Sequence, residues 1–541
     1  MTPKPISSKV PSLGAQASRA VLWNVLFVPL RMLAEVIQTL VKLTILAPVS
    51  YGILSLIGST TSALGTWIDL GTGRALPKFI PETIRSGGPH AVRRLLLAAL
   101  GAQTALLLVV AVAMVALRDS YLSYLAGKVA QADTNAVGQA QLLAFIGRFG
   151  PLVIGAILAV LLCGIFYDVL MAYLSSFFKQ RAWNSITLAA QLMPPILTAA
   201  VILAGWDIAG VLAVMVFVQV VSVALVVWQV LRHRRESAGL PQPTDDGRWL
   251  PEGFTRYCGV SFLMTATDFL ASAGFVAFFA ADALDIAILF AGVNIVRVIL
   301  AYLYTPMVGV QVPLFTRVRQ GEGGTLLGAY QSLVRLQVLL LLPGGVGLLL
   351  LAEPIFGLLR PEYIAAAPLV WVLVPCLFLE SLLTTAHNAL IVYERLRVII
   401  ISRLLTLICV PLVVVLLPAL GIVGAALAFG LARVLAGVWA TGSGYRLLGL
   451  RWPWRWTLRV ALASAVMAAL VAMLGAFLPP ADPSAHGLAR LWMVLPLAAI
   501  AGAGSIVFLA TLRLLGGVDP QDRRQIEQLR LPLKRWLLRL L

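Results

Sequence analysis

The chain has 541 residues, 60% of them hydrophobic and only 12% charged, with a mean hydropathy of +0.94. The charged fraction is about half that of a soluble globular protein, which excludes an ordinary soluble fold and implies an all-α integral membrane protein. The formal net charge of +18 would suit a nucleic-acid binder, but the Lys and Arg residues fall in short connections between apolar runs. Membrane topology accounts for them, and no nucleic-acid partner is implied.

Residues 1–18 are polar, with Lys4 and Lys9, and are expected to form a cytoplasmic N-terminal segment. The first apolar run, Arg19 to Ala47, is too long and too polar-striped for a cleaved signal and has no small-residue cleavage site after it, so it is expected to remain. It carries Asn24, Arg31, Glu35, Gln38 and Lys42, whose spacing on a helix brings all five within an arc of about 60°. Each ionised group at bilayer depth costs about 2.5 to 3.5 kcal/mol on insertion scales, so the stripe must face protein or a wet cavity. Pro29 removes a helical hydrogen bond within it and invites a kink. The stripe reads as one wall of a transport pathway.

Runs long enough to cross a bilayer place about 14 transmembrane helices, near 20–46, 51–70, 93–117, 142–167, 183–204, 208–231, 257–280, 285–309, 333–352, 364–389, 396–417, 421–441, 457–478 and 488–512. With the N-terminus inside, 32 of the 41 Lys and Arg fall in inner segments. Only Arg118, Lys128, Arg360 and Arg490 fall in outer loops. That asymmetry puts both termini in the cytoplasm of a multi-pass inner-membrane protein. The longest inner connection, 232–256, contains Pro241, Pro243 and Gly247 and reads as a hinge linker between an N-lobe (19–231) and a C-lobe (257–441). Across it, Ala47 to Gly58 lies over Ala281 to Gly292, and Ile208-Ala-Gly210 over Ile422-Val-Gly424. Six spans per unit is an even number, so the two six-helix lobes would form a parallel pseudo-repeat facing each other across a cleft.

Two extra C-terminal helices, within 442–512, lie outside this repeat. The tail 513–541 sets Ile526, Leu529, Leu533 and Trp536 on one face among basic residues. That suits an amphipathic helix on the inner leaflet or, because Pro532 interrupts it, a solvated tail. Cys163, Cys258, Cys376 and Cys409 lie in or at the edge of apolar runs without metal-ligand spacing, implying neither disulfides nor a metal.

Further spans carry polar stripes: Ser55, Ser62, Thr66 and Asp69; Ser261, Thr265, Asp268 and Ser272; Asn294, Arg297 and Tyr304; Glu380, Thr384 and His387. A cleft lined by Arg31, Lys42 and Arg297, with Asn24, Gln38 and Asn294 around them, would suit a large, hydroxyl-rich anion. Duller readings stand beside each. Arg31 and Glu35, four apart, could neutralise each other, and Lys42 could snorkel to headgroups. Arg433, deep in its span, is expected either to pair with Glu380 as glue between helices or to serve a functional role. Asp69 closes Trp67-Ile-Asp-Leu-Gly71, where it is a gating residue, a simple turn or a contact to the next basic loop. Asp268 and Glu380 either bind a coupling cation, Na+ or H+, or are protonated and hydrogen-bonded. His387 is a packed polar residue or a proton relay.

The stretch Leu46-Ala-Pro-Val-Ser-Tyr-Gly52, followed by Trp67-Ile-Asp-Leu-Gly71 and Ala75-Leu-Pro-Lys-Phe-Ile-Pro81, resembles polysaccharide-precursor flippases of the multidrug/oligosaccharidyl-lipid/polysaccharide (MOP) superfamily. The resemblance implies two six-helix lobes that alternate between inward- and outward-open forms and move a polyprenyl-pyrophosphate-linked oligosaccharide across the inner membrane. Fourteen spans also resemble the peptidoglycan-precursor flippase branch, whose extra pair forms a groove for the lipid tail. A cation-coupled multidrug antiporter of the same superfamily is the second expectation, and would need acids to dominate the cleft. A membrane glycosyltransferase or polymerase is the third. It would need an acid or acidic pair at an ordered outer loop, and the longest, Arg118 to Gln141, carries only Asp119 and Asp133. No Gly-rich phosphate loop or nucleophile-base pairing occurs, so no enzyme and no cofactor is expected.

Overall fold

The computed structural model describes residues 27, 30, 31, 33–132, 136–177, 180–237, 250–321, 324–478 and 493–516. The segment 1–18, Asn24, Pro29, residues 238–249 of the 232–256 linker and the tail beyond residue 516 lie outside the described residues. Among the described residues the regular structure is helical, with no strand. Ten helices among the described residues are long and apolar enough to cross a membrane, or eleven if a helix pair bent by 57° counts as one span. The exact count of fourteen is not confirmed: the first expected span, 20–46, lies partly outside the described residues, and two sequence features account for two further differences.

The first feature is hydroxyl content. Helical residues 30, 31 and 33–45 (α1) lead into Pro48–Asp69 (α2), which is not among the ten. The α2 helix carries Ser59, Thr60 and Thr61, whose hydroxyls donate to the carbonyls of Ser55, Leu56 and Ile57 one turn back, at 2.9, 3.0 and 2.9 Å. Bonded within the helix in this way, they can sit in an apolar setting while lowering its hydropathy. The second feature is a merged pair. The apolar stretch Leu396–Leu448 contains two expected spans, separated where Gly421 takes φ 59° and ψ −143°, a conformation open to glycine.

The remaining helices follow the expected runs. Thr72–Ala116 (α3) is interrupted at Gly88 (φ 66°), near the start of the apolar run 86–116. Arg118–Ala130 (α4) is short and polar. Ala136–Ser176 (α5), Gln180–Leu203 (α6) and Asp207–Ser237 (α7) complete the first half. Phe254–Leu270 (α8) and Ala273–Val276 (α9) form the bent pair, and the break is capped by Ser272, whose hydroxyl accepts from the Phe275 amide. Ala283–Arg319 (α10), Leu326–Leu350 (α11), Ala352–Leu359 (α12), Ala367–Val392 (α13), Leu396–Leu405 (α14), Cys409–Leu448 (α15), Trp454–Gly475 (α16) and Val494–Leu514 (α17) follow.

These helices form two compact units. One holds the described residues of Met1–Gln38, Leu64–Ser120 and Phe149–Thr265. Its core joins Leu76, Phe79 and Ile80 of α3 to Val169 and Leu174 of α5, Val226 of α7 and Phe254 of α8. Phe79 meets Phe254 edge-on at 5.4 Å, and the Lys78 ammonium lies 4.3 Å from the Tyr257 ring centre. The other unit holds Thr39–Ala63, Tyr121–Arg148 and the described residues of Ala266–Leu541. In it α13 packs most extensively against α15. A Cβ built on Gly430 would stand 2.8 Å from Cys376 Cβ, and one on Gly437 2.9 Å from Leu383 Cβ, so small residues set this helix spacing. The last two spans, α16 and α17, pack on each other, and α16 packs on α11, where the Trp456 indole donates to the Arg335 carbonyl at 3.1 Å.

Candidate functional site

In the first unit, Arg31 is the charged residue around which a polar lining gathers. Its guanidinium carbon lies 5.0 Å from the Trp183 ring centre, and its Nε donates to Gln191 Oε1 at 3.4 Å. Both partners stand on α6. Glu35, one turn along, is exposed and lies within electrostatic range of Arg31, and Tyr167 of α5 is nearby. Ala34 is fully buried, so the helix carries its charge and its packed side on neighbouring positions. A guanidinium held through its face and its Nε can still offer its outer edge to a planar or phosphate anion. Gln38 is half-buried in this unit, whereas Lys42, also half-buried, falls in the other.

Asp69 is a turn residue here. Leu70 and Gly71 both take positive φ, 53° and 75°. Asp69 Oδ1 accepts from the Gly73 amide at 2.9 Å and from the Thr72 hydroxyl at 3.2 Å, closing the start of α3. Buried Gln103 reaches in from the same helix and donates to Thr72 Oγ1 at 2.6 Å and to the Asp69 carbonyl at 3.1 Å. Spacing alone gave no sign of Gln103.

The second unit gathers the remaining charges. Arg403 donates to Asp268 Oδ1, joining α14 to α8. Arg433 Nη1 donates to Glu380 Oε1 at 2.7 Å, joining α15 to α13, and its Nε donates to the Ala271 carbonyl at 2.7 Å, beside the break between α8 and α9. Thr384 donates back to the Glu380 carbonyl at 2.8 Å. His387, one turn further along α13, lies within electrostatic range of Arg403 and Asp268. Arg403 lies inside the expected span 396–417, and nothing in its spacing marks it as the partner of Asp268. Asn294 is drawn toward the N-terminal half of the sequence, its Nδ2 donating to the Tyr51 hydroxyl at 2.9 Å. Tyr51 in turn meets Tyr363 edge-on at 6.4 Å. Arg297, one turn beyond Asn294, has an exposed side chain.

Outside the spans, α4 contributes contacts to the same unit. Tyr124 donates to the Phe278 carbonyl at 2.8 Å, Lys128 to the Ala280 carbonyl, and Tyr121 to Thr60 Oγ1 at 3.1 Å. Burial pushes the Tyr121 hydroxyl up to about 12, and lowers the Lys128 ammonium against the partly compensating pull of Asp282 and Asp285.

No family model matches the chain, and no curated protein sequence matches it. Solved structures do. The chain is similar to a lipid II flippase, MurJ, in an inward closed conformation, at 12% identity and a TM-score of 0.67, covering 92% of this chain and 99% of that one. It is also similar to a multidrug resistance MATE family transporter of the MOP superfamily in an inward-facing conformation, at 12% identity and a TM-score of 0.59, covering 77% and 94%. A third is a MOP superfamily transporter from Pyrococcus furiosus, whose binding pocket is described as of reverse polarity, at 14% identity and a TM-score of 0.52, covering 80% and 95%. At such identities the likeness establishes the fold.

Proposed function

We propose that this multi-pass membrane protein, which has the fold of MOP-superfamily transporters, exports a polyprenyl-pyrophosphate-linked oligosaccharide across the cytoplasmic membrane for cell-surface polysaccharide synthesis. Its partners are that lipid-linked substrate and the surrounding lipids, and both termini are cytoplasmic. The observation that carries the reading is Arg31, held by the Trp183 face and the Gln191 amide rather than locked on a carboxylate. A pyrophosphate cannot enter hydrocarbon as a bare anion, and a guanidinium is the side chain best matched to its oxygens. In this proposal Arg31 and Arg297 hold the pyrophosphate from the two six-span lobes. Asn24, Gln38, Lys42 and Asn294 line the path of the glycan, and the prenyl chain stays in lipid. Alternating access of the lobes moves the head group. The similarity to a lipid II flippase supports a lipid-linked cargo.

Arg31→Gln and Arg297→Gln are expected to stop export in a complementation assay while membrane levels stay at wild-type. Wild-type export by both variants would remove the proposal. The second reading, a cation-coupled multidrug antiporter, draws support from the MATE likeness. It is disfavoured by the pairing of Asp268 and Glu380 with arginines, since a cationic drug needs carboxylates that can accept it. Sodium- or proton-driven efflux of an organic cation from vesicles would reverse the order.

A further inference from the structure

Asp268 and Glu380 are the two acids in the second unit that the sequence marks as able to hold a coupling cation, and each already meets a positive charge belonging to the chain. Arg403 donates to Asp268 and Arg433 to Glu380. The four side chains come from α8, α13, α14 and α15, so the charges balance across four helices. Arg433 lies within electrostatic range of Asp268 as well as bonding Glu380.

We infer that Arg403 and Arg433 act as tethered cations in the place of a coupling ion, and that this cluster binds no sodium or other monovalent transport cation. Three features support the assignment. First, both carboxylates are already occupied: each of the four side chains is part-buried, with between 22% and 32% of it exposed, and each acid bonds a guanidinium. Second, the guanidinium on Glu380 is anchored elsewhere, because its Nε donates to the Ala271 carbonyl at the break between α8 and α9. A sodium ion displacing Arg433 from Glu380 would face competition from a charge that cannot diffuse away, at an effective concentration far above that of the free ion. Third, the Arg403 backbone is fixed. Its carbonyl accepts from the Thr406 hydroxyl at 2.6 Å, and the preceding Ser402 donates to the Ala436 carbonyl at 3.0 Å, tying this turn to α15.

The inference concerns how transport is energised, and it stands apart from the identity of the cargo. The test needs no substrate. The full-length protein is purified, and its melting temperature is followed while sodium chloride replaces choline chloride at fixed ionic strength, since a ligand bound only by the folded state raises the melting temperature saturably. The wild-type protein is expected to give a flat response. Arg403→Gln removes the guanidinium from the Asp268 carboxylate and should gain a saturable sodium-dependent rise of a few degrees, and Asp268→Asn combined with Arg403→Gln should lose it. A saturable sodium response in the wild-type protein that Asp268→Asn or Glu380→Gln abolishes would overturn the inference. So would a folded Arg403→Gln with no response, because removing the guanidinium would then admit no ion in its place. If Arg403→Gln does not fold, the wild-type titration decides on its own. Failure of these outcomes leaves the complementation result for Arg31 untouched, so the two readings fail separately.

Discussion

At the scale of single residues, the chain uses its few intramembrane charges in two different ways. Arg403 and Arg433 meet carboxylates, whereas Arg31 meets an aromatic face and a neutral amide. The contact with Trp183 should contribute about 0.5 to 2 kcal/mol to holding the guanidinium in place. Trp183→Ala is therefore expected to lower export roughly two- to thirty-fold at limiting substrate, with Trp183→Phe recovering part of it. Equal export by Trp183→Ala and wild-type protein in a quantitative complementation assay would show that Arg31 needs no support from that ring. Gly71 poses a different constraint. Its φ is 75°, and a Cβ there would stand 2.2 Å from the Cys258 carbonyl oxygen. Gly71→Ala combines an unfavourable backbone conformation with a clash against another helix, and should cost at least about 1 to 3 kcal/mol. A lowered melting temperature and reduced membrane level would register it.

At the scale of helices, apolar length made the spans legible in the sequence, and so did their internal stripes. Asp268, Glu380, Asn294 and Arg433 all turn out to make polar contacts between helices. Sequence spacing reveals which face of a helix is polar but not which neighbour that face meets. Spacing does not single out Arg403, Trp183, Gln191 or Gln103, because each acquires its partner only through tertiary packing. The pairing of Arg433 with Glu380 was within reach, as both lie deep in spans. Its second bond was not, since it depends on the break between α8 and α9. There Ala271 still donates to the Thr267 carbonyl at 3.1 Å, but its own carbonyl is taken by Arg433. Lysine in this position would keep the charge and lose the fork that reaches both acceptors. Arg433→Lys should thus destabilise the protein by about 1 to 3 kcal/mol, read as a lower melting temperature. An unchanged value would mean that the carbonyl at the break finds another donor.

At the scale of the whole chain, charge counting puts four bases on the outer side, and two of them hold backbone carbonyls that come from the opposite half of the sequence. Lys128 of α4 donates to the Ala280 and Ala281 carbonyls. Arg360, following α12, donates through Nε to the Thr44 carbonyl at 3.2 Å and through Nη2 to the Ile45 carbonyl at 3.0 Å. All of these lie within the second unit. Between them α2 runs so close to α10 that a Cβ on Gly52 would fall 1.8 Å from the Ala283 carbonyl oxygen. This contact joins Ala47 to Gly58 with Ala281 to Gly292, the two stretches that overlay in sequence. An anion exporter of the proposed kind must part this seam to release a bulky head group, and must close it again to avoid an open pore. Gly52→Val would wedge the seam through backbone contact, while Lys128→Ala and Arg360→Ala would remove the polar bonds on either side. Thr60 is 8% exposed and accepts the Tyr121 hydroxyl, so a cysteine at this position reports on opening. Thr60→Cys should react slowly with a membrane-impermeant maleimide added outside intact cells, and severalfold faster when combined with Gly52→Val or Lys128→Ala. A labelling rate indifferent to all three changes would mean that the seam is not what closes the outer side.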